Sequence, residues 1–457
     1  MNKLLIALIA AAFPLSALSA ETAIDLITVF RQAQTNDPVW ASARSANVAA
    51  QEKLVQGKAL LLPTATLSAN VNHNQSDIQS EPGRISQFVY NGFDKFETYG
   101  YRLDVSQPLY RKQNNVQFEQ SKTLVAQADE ELKNAQLDLM LRVSQAYFEV
   151  LLAQDTIDLI VAQKAAISKQ LEQAKANFEV GTSTITDVHE AQARYDLIVA
   201  QEILAVNELE AKRRAIQSLT GQRPQRLAPG RNDLEAVIPE PSDMEKWVEI
   251  ASQNNYALKI QQQALAYAEQ QVEFAKAGHL PTVDLVGSYA DNRAEGGIAE
   301  EIRGYNSDTK FGVIGVQLAI PLYQGGAISS REREAQANKL KAQDDLEAVR
   351  RDVDLQTRQS YLKVSTAVAE AKAYEQALVS SQSQLESTQL GYEVGVRTSV
   401  DVLNAQQQLF KAKRDLLLAR YGWMLSVIKL KAAAGILTEE DLSNTNKLLD
   451  PTQTSAS

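Results

Sequence analysis

The chain has 457 residues, a formal net charge of −10 and no cysteine. An acidic balance without long basic runs argues against a nucleic-acid partner, because phosphate binding rests on clustered Lys and Arg. The missing thiols exclude disulfides and acylation of an N-terminal lipoprotein cysteine, so packing alone must hold the fold.

Lys3 precedes an apolar run from Leu4 to Ala12, and small residues follow up to Ala20. This is the layout of a secretory signal peptide cleaved after Ala20. No later segment reaches the roughly 18 to 20 consecutive apolar residues that a membrane-spanning helix needs. Any membrane contact must therefore use another structure. Short helices are predicted over Ala23 to Ala33 and Val39 to Leu62. Ala65, Leu67, Ala69 and Val71 then alternate with polar residues, as do Tyr99, Tyr101, Leu103 and Val105. Period two predicts strands with one oily and one wet face. The polar stretch between them, His73 to Thr98, reads as an exposed loop, and Tyr90, Phe93, Phe96, Tyr99 and Tyr101 as contributors to an interfacial aromatic belt.

From Lys112 to Val180 there is neither glycine nor proline, and apolar or small residues recur every seventh position from Phe118 through Leu139 to Ala174. That seam predicts one helix about 100 Å long in coiled-coil packing. Gly181 breaks it, and a return helix from Thr184 to Thr220 completes an antiparallel hairpin. Residues from Gln222 to Pro241, with four prolines, form a connector.

The pattern then starts again. Val180-Gly181, Asp187-Val188 and Ala191-Gln192 return as Val394-Gly395, Asp401-Val402 and Ala405-Gln406, an offset of 214 residues (394 minus 180). Gln145-Ala146-Tyr147 pairs with Gln359-Ser360-Tyr361, and Pro108-Leu109-Tyr110 with Pro321-Leu322-Tyr323. A whole half-chain is duplicated. The second copy predicts helices over Met244 to Gln253 and Tyr256 to Gly278, strands around Val283 to Tyr289 and Ile314 to Ile320, a polar loop from Asp291 to Lys310, and a long helix from Ala327 to Leu390. A tip at Gly395 and a return helix towards Ala434 complete it. The resulting divisions are a signal peptide (1–20), two repeats (21–240 and 241–440) and a polar tail (441–457).

Four amphipathic strands cannot close a barrel, and an open edge in lipid strands unpaired backbone groups. The chain must oligomerise if its strands span a membrane; two copies give eight strands and three give twelve. A periplasmic coiled-coil adaptor or scaffold is the alternative, but it has no need of four outward-oily strands. His73, His189 and His279 show no metal-ligand spacing, and no P-loop, dinucleotide fingerprint or nucleophile elbow is present. Neither an enzyme activity nor a cofactor is expected.

The Asn36-Asp37-Pro38 helix start, Leu280-Pro281-Thr282, the Pro321-Leu322-Tyr323-Gln324-Gly325-Gly326 junction and the two Val-Gly tips resemble the TolC family of outer-membrane efflux channels across the mature chain. The likeness is to the branch without a lipid anchor. It implies an α+β membrane protein: a homotrimer with a 12-stranded β-barrel, four strands per chain, continued by a 12-helix periplasmic α-barrel with an equatorial mixed domain. Such a protein is a passive gated exit duct of tripartite efflux pumps or type I secretion. Its partners would be outer-membrane lipids, a periplasmic adaptor (membrane fusion) protein and an inner-membrane pump of RND, MFS or ABC type.

The resemblance also assigns residues. Tyr392 matches the inner-pair gate tyrosine and Arg397 the gate arginine after the second tip, Thr186 and Asp187 their partners after the first, and Gln170 and Gln389 a further link that is neutral here. A tyrosine hydroxyl and a guanidinium both donate to a carboxylate, a lock that opens without covalent change. Asp401 matches one of two aspartates that ring the tunnel entrance and favour cations; the second position is Asn404. Substituting Asn404 by Asp is accordingly expected to strengthen cation selectivity. The exposed tips, Val180-Gly181-Thr182 and Val394-Gly395-Val396, match the contact for the adaptor. As plain sequence, the tips read as helix stops in hairpins.

Overall fold

The computed structural model describes residues 23–79, 91–224, 226–231, 234–296 and 307–450. The signal-peptide segment and Tyr90 lie outside the described residues. In chain order the elements are α1 (Leu26–Asn36), α2 (Pro38–Ala59), β1 (Thr64–Gln79), β2 (Asn91–Tyr110), α3 (Lys112–Glu179), α4 (Ile185–Thr220), α5 (Met244–Asn254) and α6 (Tyr256–Lys276). They continue with β3 (Thr282–Gly296), β4 (Ser307–Ala319), α7 (Ala327–Glu393), α8 (Ser399–Ala433) and α9 (Glu439–Asn446). None of these helices is long and apolar enough to cross a membrane.

The chain divides into two compact units, each drawing on both halves of the sequence. One contains the residues up to Ala41, Gln136–Gln253 and those from Leu355 on; the other contains Ser42–Ala135 and Asn254–Asp354.

The second unit is built on one antiparallel sheet in the order β1-β2-β3-β4, with β1 and β4 at its edges. Its register puts the oily positions on one face: Leu67 lies opposite Leu103, Leu103 opposite Tyr289, and Leu285 opposite Val316. These residues are exposed to the outside, Leu67 by 70 % and Val316 by 65 %. An apolar sheet face of this kind fits a lipid surround rather than water.

The ladders run further than the alternation indicated. Residues 73–79 and 91–98 of the expected first loop extend β1 and β2, and 291–296 and 307–310 of the second extend β3 and β4. Backbone pairing continues where the alternation is lost, carried by side-chain pairs such as Asn74 Nδ2 to Thr98 Oγ1 at 3.0 Å and Arg293 with Asp308 at 3.6 Å. Where β2 becomes α3, Arg111 donates twice to the buried Asp284, Nε and Nη2 each at 2.7 Å. This bidentate clamp ties the start of the long helix to β3.

The first unit has its core where α1, the connector and α9 pack on the long helices. Leu26, Val29, Phe30, Tyr147, Leu151, Leu227, Ile428 and Leu442 are buried there. Tyr147 has no contact with water, and its hydroxyl donates towards the Ala228 and Ile24 carbonyls at 3.0 and 3.2 Å. Half-buried Asp155 on α3 accepts from Tyr421 on α8, whose hydroxyl also takes the Gly230 N–H at 3.3 Å. Burial pushes the Asp155 carboxyl up to about 6 against that hydrogen bond. α9 is a further finding. It occupies the beginning of the segment read as a polar tail, starts on a Thr438/Asp441 capping box and buries Leu442.

Candidate gate at the hairpin tips

Both hairpins turn by the same backbone chemistry. After α3, Gly181 takes φ +77°, Thr182 N–H reaches the Asn177 carbonyl at 2.9 Å and Gly181 N–H the Phe178 carbonyl at 3.0 Å. After α7, Gly395 takes φ +79°, and Val396 and Gly395 make the matching bonds to Gly391 and Tyr392 at 2.8 and 3.0 Å. This double bond pattern ends a helix on a left-handed residue, which glycine adopts without a Cβ penalty. Each return helix then begins with a capping box, Thr184 with Asp187 and Thr398 with Asp401. Thr-x-x-Asp satisfies two otherwise orphaned N–H groups at once.

The two acids share that duty but differ in what remains. Asp187 Oδ2 accepts from Thr184 N–H at 3.0 Å, Thr184 Oγ1 at 2.8 Å and Ser183 Oγ at 2.9 Å, while Oδ1 accepts from Ser399 Oγ on α8 at 2.9 Å. These donors, the Thr184 backbone first, hold its carboxyl down at about 2. Asp401 Oδ2 accepts from Thr398 N–H and Oγ1, both at 2.9 Å. Its pKa is lowered chiefly by the same backbone contact. No hydrogen bond to its Oδ1 is found among the described residues.

Near the tips, three polar ties among the described residues join the first hairpin to the second. Asn177 Nδ2 donates to the Tyr392 hydroxyl at 3.1 Å. Ser399 donates to Asp187 as above. Arg194 on α4 donates to Asn404 Oδ1 at 3.0 Å and to Gln407 Oε1 on α8. Beneath them, Leu171, Ala174 and Ala191 of the first hairpin pack with Leu403 of the second. Tyr392 itself rests on the α7–α8 cluster of Leu385, Val402, Ala405 and Leu409.

The residues singled out by resemblance are thus placed unevenly. Tyr392 meets Asn177 and Asp187 meets Ser399 within the chain. Arg397 is exposed and folds back over Gly391, where an added Cβ would lie 2.7 Å from Arg397 Cγ. Thr186 is exposed in the first turn of α4. Gln170 is buried on α3 and Gln389 exposed on α7, and the two do not hydrogen-bond to each other. Val180, Val394 and Val396 are 73, 67 and 76 % exposed, with no core to fill. Asn177, Ser399, Arg194 and Gln407 were not singled out from the sequence. Position by position the repeats differ at each of them: Asn177 aligns with Gly391, Ser399 with Ile185, Arg194 with Gln408 and Gln407 with Ala193. Among the described residues no group of His, Asp or Glu is arranged to hold a metal ion.

A sheet with an outward apolar face, long paired helices and polar ties at their tips are the parts of an outer-membrane channel subunit. The comparisons with known proteins agree. The outer membrane efflux protein family matches residues 29–222 and 247–436, and the chain belongs to that family. It is 37 % identical over 430 residues to the outer membrane protein TolC of Vibrio cholerae, covering 94 % of both chains. It is 28 % identical to the proteases secretion protein PrtF of Dickeya chrysanthemi, covering 92 % of this chain and 90 % of that one. The fold is shared with the crystal structure of VceC from Vibrio cholerae, at a TM-score of 0.72 and 19 % identity over 90 % of this chain and 96 % of that one. Members of the family are channels and not enzymes. The chain is accordingly a subunit of a trimer in the outer membrane, with a periplasmic helical tunnel, working with periplasmic adaptors and inner-membrane pumps. The adaptor alternative is not favoured.

Proposed function

We propose that the periplasmic end of this exit duct is closed by the polar ties between its two hairpins and opens when the hairpins part. One observation carries the reading. Ties within a hairpin include ion pairs, Lys212 with Glu149 at 3.0 Å and Arg420 with Glu375 at 3.0 Å, whereas none of the three ties between hairpins near the tips is an ion pair. Separating the hairpins there breaks hydrogen bonds and splits no ion pair, a smaller cost than leaving a charge unpaired. Tyr392 works through Asn177. Arg397, exposed beside the second tip, is a further gate donor with Thr186 and Asp187 as its partners, and Gln170 and Gln389 form a further neutral link.

Asp401 supplies the cation ring of the entrance, its unbonded oxygen repeated three times around the axis. The tips Val180-Gly181-Thr182 and Val394-Gly395-Val396 receive the adaptor. The two repeats, 21–240 and 241–440, contribute one hairpin each to this end. Protein export is one cargo class, by similarity to a proteases secretion protein. The gate is tested with Tyr392→Phe combined with Arg397→Ser. Single-channel conductance of assembled trimers in planar bilayers is expected to rise several-fold, and an unchanged conductance would remove these residues from the gate.

A further inference from the structure

We infer that Arg194 is a one-way clamp of the first hairpin on the second, with Asn404 and Gln407 as its acceptors, so that Asn404 serves closure rather than the entrance field. The inference rests on the gate reading above. Arg194 lies nearly three turns beyond the α4 cap and spends three donors in one plane: Nε on Glu190 Oε1 at 3.1 Å, Nη2 on Asn404 Oδ1 at 3.0 Å, and Nη1 on Gln407 Oε1. Asn404 and Gln407 are three residues apart and so share a face of α8. A planar fork spans two such acceptors, which an ammonium on a flexible stem does not do with the same fixed geometry. The side chain is only 27 % exposed, and Leu403, next to Asn404, is buried against Ala191.

The repeats differ here in a way that makes the clamp directional. Arg194 aligns with Gln408 and Glu190 with Asn404, so α8 carries neither the guanidinium nor the acid needed to build the same grip in return. Glu190 balances the Arg194 charge within α4, and the two carbonyl acceptors add none. A carboxylate introduced at position 404 would meet a guanidinium already at hydrogen-bonding distance. Its charge would be taken up by that pair, and the expectation that Asn404→Asp strengthens cation selectivity is replaced by the expectation that it tightens closure.

The test uses full-length trimers and exploits the absence of cysteine: Val180→Cys and Val394→Cys accept spin labels at the two tips without competition from native thiols. Arg194→Gln is expected to broaden the tip-to-tip distance distribution and to shift the closed-to-open balance roughly tenfold, as loss of a charge-assisted hydrogen bond does. Asn404→Asp should narrow the distribution and lower the open fraction, with cation selectivity unchanged. In the double variant the new carboxylate has lost its partner, so selectivity for cations should rise only there. A wild-type distance distribution for Arg194→Gln, or a rise in selectivity with Asn404→Asp alone, would overturn the clamp. If Arg194→Gln moves the distances but neither it nor the Tyr392 and Arg397 pair of substitutions changes conductance, the clamp stands and the gate reading fails.

Discussion

The two hairpin tips share their backbone chemistry but not their side chains. Each keeps a left-handed glycine, a doubly bonded helix end and a Thr-x-x-Asp capping box. The side chains around that frame have become complementary instead of equal. Phe178 faces Tyr392 across the alignment, so only the second copy has a hydroxyl to receive Asn177, and Asn177 itself aligns with Gly391, which leaves room for Arg397. The first acid uses both oxygens on donors and the second keeps one free. Stop signals need an exact local geometry and tolerate little change, whereas polar residues on exposed helix faces need only find a partner.

The largest separation of the two tips should come from removing their acids one at a time. Asp187→Ala takes away the acceptor of Ser399, Ser183 and Thr184 and should open the channel several-fold while costing about 1 kcal/mol of capping at α4. Asp401→Ala should instead collapse cation selectivity and block by multivalent cations from the periplasmic side, with a similar capping cost at α8. Reversal potentials and conductance on both variants decide the matter, and equal behaviour would refute the difference drawn here. Because Asp187 is held at about 2, below its ordinary value of 3.8, its contribution is present at neutral pH and is lost as pH falls through that range. Closure through this tie should therefore be constant from pH 8 to about 5.

The next effect lies away from the tips, where the hairpins are joined by the Asp155–Tyr421 contact. This carboxyl is raised to about 6, so the folded protein holds its proton over a range in which the unfolded chain has released it. Stability should fall as pH rises from about 4 through 6 and level off above, by at most about 3 kcal/mol. Asp155→Asn retains an acceptor for Tyr421 and should flatten that slope in thermal unfolding at a series of pH values. A slope identical to wild type would assign the pH dependence to other groups.

The smallest expected effect sharpens the asymmetry at Gly391. Alanine there would drive its Cβ into Arg397 and move that side chain off the helix, while Asn177→Ala in the first copy displaces nothing and only removes a donor from Tyr392. Both should raise conductance less than the combined Tyr392 and Arg397 substitutions. A larger rise from Asn177→Ala than from Gly391→Ala would place Tyr392, not Arg397, at the centre of the gate.

The long helices and the strand cores were legible because their periods of seven and two run uninterrupted over many residues. The outer parts of the strands were not, since polar residues such as Asn74, Thr98, Arg293 and Asp308 interrupt the alternation there, although the backbone ladder continues through them. α9 was hidden for the opposite reason. Eight residues with Leu442 as their buried contact are too short for a helical period, and only Thr438-x-x-Asp441 marks the start. At the hairpin tips the glycine stops could be read locally. The partners of Asp187, Tyr392 and Arg194 could not, because which faces of α4 and α8 meet is set by Leu403 packing among Leu171, Ala174 and Ala191.

The sheet order β1-β2-β3-β4 leaves each subunit with two edges that only other subunits can satisfy. That arrangement has a genetic corollary. A cell making intact subunits and subunits with a spoiled β1 or β4 edge in equal amounts would assemble wholly intact trimers in roughly one case in eight, if the subunits mix at random. Lesions in these two strands should therefore behave as dominant ones, poisoning the intact copies, whereas lesions that prevent a subunit from folding at all should be recessive.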